Sequence, residues 1–405
     1  MLYTLHEMQR AMFAPVSAMA RVHRELFSHP FSVLAYHPFA SNLAAGADLL
    51  HRLTMRFEKP HWNIDHTLID GREVTVNARV EVDKPFCKLL HFEREVKRQD
   101  PRVLVVAPLS GHHATLLRDT VRTLLPEHDV WITDWVDARM VPMTAGPWHF
   151  DDYVDDIREF IRHLGNDLHV ISVCQPTVPV LAAISLMAAD DEPVKPRTMT
   201  MMGGPIDARR SPTAVNNLAM KHPIAWFDRH LIHRVPAKYP GFARRVYPGF
   251  LQHLGFVAMN PDRHTQAHWD YYAHLVSGDG DSAQAHRHFY DEYNAVLDMP
   301  AEYYLDTVRM VFQEFALATG TMHVHDAHVR PDAIRQTALL TVEGELDDIS
   351  GSGQTQAAHT LCTGIPAKRR QHYAAPHVGH YGIFSGKKWR ETIYPQVRDF
   401  IRRFA

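Results

Sequence analysis

The chain has 405 residues, 45% apolar and 22% charged, the composition of a globular protein with a large core rather than a disordered, collagenous or disulfide-built one. Forty-three Lys and Arg against 46 Asp and Glu leave a formal charge of −3, without the basic excess of a chain that binds nucleic acid. Thirty histidines are far more than usual, so most are expected at the surface and a lone histidine carries little weight. In chain order, residues 1–64 read as an N-terminal helical segment. Leu5, Met8, Met12 and Phe13, then Leu43, Ala47, Leu50 and Leu53, recur at helical spacing. The first of these stripes is expected to pack against the core, with adhesion to an outside surface as its other use. Ala18-Met19-Ala20 has the form of a signal-peptidase site, but Glu7 and Arg10 interrupt the apolar stretch it would need, and no cleaved leader is expected.

Residues 66–94 alternate in polarity and carry Asp70-Gly71, the signal of a β-hairpin. Strands and helices then take turns. RVLVVAPL (102–109), HDVWITDW (128–135), LHVISV (168–173) and TMTMMGG (198–204) are β-rich runs. Between them lie helical patterns near 114–124, through Tyr153, Ile157, Phe160, Ile161 and Leu164, and at 176–189. Continuous apolar strands separated by helices predict a parallel sheet covered on both faces. The pattern stops near 212 and resumes with ALLTVEGEL (338–346), a helix near 354–362, a strand near 368–373 and a final amphipathic helix. The predicted division is therefore an α/β core over 65–211 and 333–405, interrupted by a helical cap over 212–332. The longest uncharged apolar run, Val178 to Ala189, is too short to span a bilayer.

Three cysteines, far apart and without metal-ligand spacing, predict a reduced, cytoplasmic chain. Cys174 stands out. It follows a buried strand and precedes a helix that is apolar all round, the place of the nucleophile elbow in an α/β-hydrolase. The helix N-terminus behind it favours a thiolate. Ser172 supplies the small residue two positions before it, and Pro176 stands where a glycine is usual, in a helical first turn that needs no N–H. In this fold the acid and the histidine follow the nucleophile in that order. Asp347 and Asp348 follow one late strand; His377 and His380 follow the last. Cys174, Asp347 and His380 are the preferred triad, with Asp348 read as a helix cap. The oxyanion hole is assigned to the Gln175 N–H and to a second amide from the loop of Leu109, Ser110 and Gly111. Cys174 could instead be a small buried hydrophobe.

His112-His113, the His264/His268 pair and the cluster of His323, His325 and His328 lack the neighbouring glutamate of a metalloprotease, and no metal is assigned. The insertion carries Trp226, Tyr239, Phe242, Tyr247, Phe250, Phe256, Trp269, Tyr271 and Tyr272, which serve equally as a cap core or as a greasy substrate groove.

The segments MLYTLHEMQRAMFAP, DKPFCKLLHFER, VAPLSGHHATLLRDTV, TDWVDAR, VCQPTVPVLAA, MGGPIDARRSPTAVN, RVYPGFLQ, VEGELDDISG and VGHYGIFSG together resemble the intracellular poly(3-hydroxybutyrate) depolymerases of bacteria. The resemblance runs through nearly the whole chain. It implies a cysteine nucleophile, roles for Cys174, Asp347 and His380, and amorphous polyester at cytoplasmic granule surfaces as the partner. No cofactor is implied. Coenzyme A is a candidate co-substrate, because an acyl-cysteine passes to another thiol near thermoneutrality; Arg209, Arg210, Lys387 and Lys388 are candidates for its phosphates. Water is the other acceptor. A polymer synthase with the same triad and a non-catalytic granule-binding protein are the competing readings. Oligomeric state and monomer chain length stay open.

Overall fold

The computed structural model describes residues 2–405. Its centre is a nine-stranded sheet formed by β1 (His66–Ile69), β2 (Arg72–Asp83), β3 (Cys87–Arg94), β4 (Arg102–Val106), β5 (Asp129–Trp135), β6 (Leu168–Val173), β7 (Thr198–Met202), β8 (Ala338–Gly344) and β9 (Arg370–Ala375). The spatial order is β1-β2-β3-β5-β4-β6-β7-β8-β9. The first three strands join antiparallel. From β5 onward every pairing is parallel. Asp70 and Gly71 both take positive φ in the two-residue turn between β1 and β2, as the twist of a tight hairpin requires.

The parallel strands are buried on both faces: every residue of β6, β7 and β8 is buried. Helices α3 (Arg118–Leu124), α4 (Phe150–Leu164) and α5 (Thr177–Ala189) cover them. α5 has eleven buried residues in thirteen, so it lies inside the molecule rather than on it. This six-stranded parallel run with crossover helices and antiparallel strands at one edge is the α/β-hydrolase fold. The site occupies the carboxyl ends of its strands.

Four expectations need correction. The helix near 114–124 opens as a 3-10 turn over Ala114–Leu117. The helix near 354–362 shrinks to Ala358–Leu361, because the backbone and side chains before it bond elsewhere: Gln356 N donates to Glu343, and Thr355 Oγ1 donates to the Gly204 carbonyl. The interrupting segment is not purely helical. Among α6 (Ala214–Lys221), α7 (Ile224–Leu231), α8 (Gly249–Met259), α9 (Pro261–Ser277), α10 (Gly280–Tyr293) and α11 (Ala301–Thr307), it carries a small sheet of His233–Arg234, Arg245–Tyr247 and Met299–Pro300, and a ribbon at 323–328. Its later part joins the main core through Met299, Tyr303, Met310 and Leu317. Finally, α1 (Leu2–Ser28) does not lay its apolar stripe on the core. It pairs with α2 (Ala40–Thr54) and buries only Tyr3, Ser17 and Ala20. No helix among the described residues is long and apolar enough to cross a membrane.

Candidate active site

Cys174 sits between the last residue of β6 and the start of α5 with φ +66, a conformation costly for a residue with a Cβ and accepted where a sharp strand-to-helix turn demands it. Its N–H donates to the Met202 carbonyl of the neighbouring strand at 2.7 Å, and its own carbonyl receives Thr177 N at 3.1 Å. The turn is possible because the facing residues have no side chain. A Cβ on Gly204 would lie 1.8 Å from Thr177 Oγ1 and 2.5 Å from the Cys174 carbonyl; one on Gly203, at φ +56, would lie 2.5 Å from Ile383 and 3.3 Å from both Asp347 and His380. Sequence reasoning weighed only the chain neighbours Ser172 and Pro176. The available signal was the pair Gly203-Gly204 directly after β7.

His380 opens a short turn after β9 and is 5% exposed. Its Nδ1–H donates to Asp347 Oδ2 at 2.7 Å; a carboxylate can only accept, which sets the tautomer and leaves Nε2 for the thiol of Cys174. Asp347 is itself held by two amides of its loop, Ile349 N at 2.9 Å and Ser350 N at 2.8 Å on Oδ1. Burial alone would push the His380 imidazole down. The charges of Cys174 and Asp347, with the hydrogen bond that the ring donates to Asp347, outweigh it and hold the ring well above the ordinary histidine value. Asp348 lies elsewhere, exposed, accepting from Asn260 of the cap at 3.2 Å. His377 is exposed beside Glu345. Of the other thiols, burial pushes Cys362 up to about 12 and Cys87 well above its usual value, so neither is a ready nucleophile.

The loop after β4 carries Leu109, Ser110 and Gly111. The Gly111 amide is already bonded to the Leu109 carbonyl at 2.8 Å. Among the described residues the amides of Gln175, Leu109 and Ser110 have no protein acceptor. Trp135 Nε1 pins the base of the loop at the Ala107 carbonyl, 2.7 Å, and the Gly111 carbonyl accepts Leu297 N from the cap at 2.7 Å. His112 is buried here, stacked on Phe256 and bonded to the Tyr293 carbonyl. Burial pushes it down to about 4 and His113 to about 3.

Aromatic rings near Cys174 come from three elements: Tyr153 on α4, Tyr303 on α11 and Tyr381 beside His380. Burial raises each phenol, and Cys174 adds to the effect. Tyr153 and Tyr303 stack with centroids 5.4 Å apart. None of the three was among the aromatics singled out from the insertion. Of those, Phe256 abuts the Gly111 loop, whereas Tyr271 binds Asp48 of α2 and Trp226 stacks on His222. His264 bonds the hydroxyls of Tyr290 and Tyr293, His325 meets Asp155, and no cluster of three or more possible metal ligands occurs among the described residues. Arg209 and Arg210 are both engaged by Asp207.

A family model described as the C-terminus of PHB depolymerase matches residues 203–405. No curated protein matches. Solved structures with similar folds include the DcsB complex with its substrate analogue (14% identity, TM-score 0.47, 82% of this chain and 100% of that one). A monoacylglycerol lipase from Paleococcus ferrophilus aligns at 12% identity and TM-score 0.45, over 75% of this chain and 95% of its own. The 2-hydroxy-6-oxo-6-phenylhexa-2,4-dienoate hydrolase of Rhodococcus sp. strain RHA1 aligns at 13% and 0.44, over 81% and 99%.

Proposed function

Because this chain belongs to the PHB depolymerase family of ester hydrolases, we propose that it cleaves the ester bonds of amorphous poly(3-hydroxybutyrate) through an acyl-cysteine formed on Cys174. The observation that carries this reading is the buried His380, held by Asp347 at 2.7 Å and raised by the charge of Cys174. The Cys174 thiolate attacks the ester carbonyl. The oxyanion that forms is received by the Gln175 N–H and by Leu109 or Ser110 N–H, whose amides are free to donate. As the tetrahedral intermediate collapses, the C–O bond breaks and the His380 imidazolium gives its proton to the departing 3-hydroxyl. Asp347 keeps the ring oriented and stabilises its charged form. His380 then takes a proton from the second acceptor, which attacks the thioester and frees Cys174.

With water as acceptor the products are 3-hydroxybutyrate and its oligomers. With coenzyme A they include 3-hydroxybutyryl-CoA, since one thioester replaces another. Of the candidates for its phosphates, Arg209 and Arg210 share Asp207, and Lys387 lies 3.9 Å from Glu391. Protein-free amorphous polymer incubated with the enzyme, with and without coenzyme A, and read by mass spectrometry tests the proposal. Soluble 3-hydroxybutyrate species that vanish with Cys174→Ala are the expected result. Polymer growth from 3-hydroxybutyryl-CoA alone would make the chain a synthase, and granule binding without any product would make it a coat protein. The proposed setting is the cytoplasmic granule surface.

A further inference from the structure

The N-terminal helical hairpin is built inside out. Most of its ionic groups turn inward and are bonded: Glu7 with Lys238, Arg24 with Asp48 at 2.9 Å, Arg52 with Asp291 at 2.6 Å, and Arg10 on the Met55 carbonyl at 3.1 Å. Its apolar groups turn outward. Leu5, Met8, Met12, Val16, Met19, Val22 and Leu26 recur every three or four residues along α1 and are all exposed, Met12 to 77%. The connection to α2 continues the surface with Phe31 at 92%, Val33 at 88%, and Tyr36 and Phe39; α2 adds Leu43, Leu50 and Leu53. Water-facing helices put apolar residues inward, and an apolar patch of this extent marks a surface that is covered in use. The length of α1 alone, 27 residues, gives it a span of about 40 Å.

Charge identifies what covers it. The first lysine of the chain is Lys59. The exposed Arg21 and Glu25 of α1 fall off the apolar stripe by helical spacing, so the face carries no Lys, Arg, Asp or Glu, and His23 is its one ionisable side chain. An anionic bilayer selects Lys and Arg around an amphipathic helix; this face offers none. A polyester is an uncharged apolar phase. The hairpin is also fixed to the end of the molecule where the reaction takes place. Tyr3 Oη donates to Asp298 at 2.5 Å, and the adjoining Leu297 bonds the Gly111 loop of the candidate oxyanion hole.

We propose that the outer face of α1, α2 and their connection is a docking surface that adsorbs the enzyme flat onto amorphous polyester and so delivers polymer to Cys174; this rests on the polyester reading of the active site. Adsorption is measured on the otherwise wild-type full-length Cys174→Ala protein by co-sedimentation with protein-free amorphous poly(3-hydroxybutyrate) particles, beside neutral and anionic phospholipid vesicles. The same is done with Met12→Glu/Met19→Glu and, separately, Phe31→Ser/Val33→Ser added. In proteins that retain Cys174, hydrolysis of the particles is compared with that of a water-soluble 3-hydroxybutyrate trimer. The expected result is adsorption weakened by about tenfold or more in either double variant, slower particle hydrolysis, and an unchanged trimer rate that reports an intact fold and site. Unchanged adsorption in both variants overturns the proposal, as does preferential binding to anionic vesicles. A wild-type dimer that the substitutions dissociate without altering adsorption assigns the face to a second copy and overturns it too. Failure of the wild type to cleave the trimer strikes the substrate reading alone, because adsorption is read without turnover.

Discussion

Two adjacent carboxylates separate at the residue scale. Asp347 bonds His380 and is held by two amides; Asp348 reaches only Asn260 at the surface. Asp347→Asn is expected to lower kcat/KM on a soluble 3-hydroxybutyrate oligomer by roughly 10⁴-fold, the loss typical of neutralising a triad carboxylate. Asp348→Asn should stay close to wild type. The reverse pattern in steady-state kinetics would move the orienting role by one residue. The same change tests the electrostatics. Asp347 is one of the groups that raise the His380 imidazole, so its loss should lower that pKa and move the alkaline limb of the pH–rate profile toward acid. Cys174→Ala should abolish turnover with the fold retained, and Cys174→Ser should keep only a trace, because a hydroxyl is far harder to ionise than a thiol.

At the scale of elements, the elbow depends on how closely β7 and its following loop approach the turn between β6 and α5. Gly204→Ala would drive a methyl group into Thr177 and the Cys174 carbonyl. Overpacking of that kind costs about 1–3 kcal/mol. Because the displaced atoms belong to the nucleophile's own turn, activity should fall more steeply than stability. Gly278 offers the contrast. It ends α9 at φ +76, and a Cβ there would meet nothing within 4 Å, so Gly278→Ala should cost about 1 kcal/mol through backbone strain alone and leave the rate unchanged. Thermal melts and oligomer hydrolysis on both variants check the pair. Equal rate losses at the two glycines would show that the close approach at Gly204 is not what shapes the elbow.

For the whole molecule, the histidines dominate the pH response. His112, His128 and His169 are buried and held near 4, and His113 near 3, mainly because burial disfavours the charged ring. The unfolded chain binds those protons near 6.5 and the folded one does not, so stability rises with pH between about 4 and 6.5 and is lost on acidification. Asp137 acts in the opposite sense: burial beside Asp298 raises it to about 7, which makes stability fall as pH climbs toward that value. His286 and His359, also held near 4, act with these four histidines, while Asp134, Asp156, Asp298 and Glu292, raised by burial, act with Asp137; the lowered histidines outnumber the raised carboxyls and decide the sign. Urea unfolding should show a protein markedly weaker at pH 5 than at pH 7. His128→Gln should flatten the slope by about one proton, or about 1.4 kcal/mol per pH unit. A midpoint indifferent to pH across this range would mean that the rings are hydrated in the native state.

What the sequence determined by itself was whatever local pattern dictates. The continuous apolar runs of β4, β6 and β8, and the all-round apolar α5, required burial on both faces and hence the parallel sheet. The chain order of Cys174, Asp347 and His380, each after a strand, pointed to one catalytic edge, and the family motifs pointed to an ester hydrolase. The sequence preferred Asp347 to Asp348, and the tertiary structure supplies the physical difference between them, since adjacent residues share most local signals and differ in what lies across from them. It alone showed why Gly203 and Gly204 are glycines, because the atoms they must avoid are about thirty positions away or more along the chain. Tyr303 and Tyr381 reach Cys174 from distant elements by packing that no periodicity encodes. α1 is the sharpest case. Its helical spacing was legible, but spacing says only that one face is apolar. Which face meets the protein was decided by where Glu7, Arg10 and Arg24 found partners, and those partners lie outside α1.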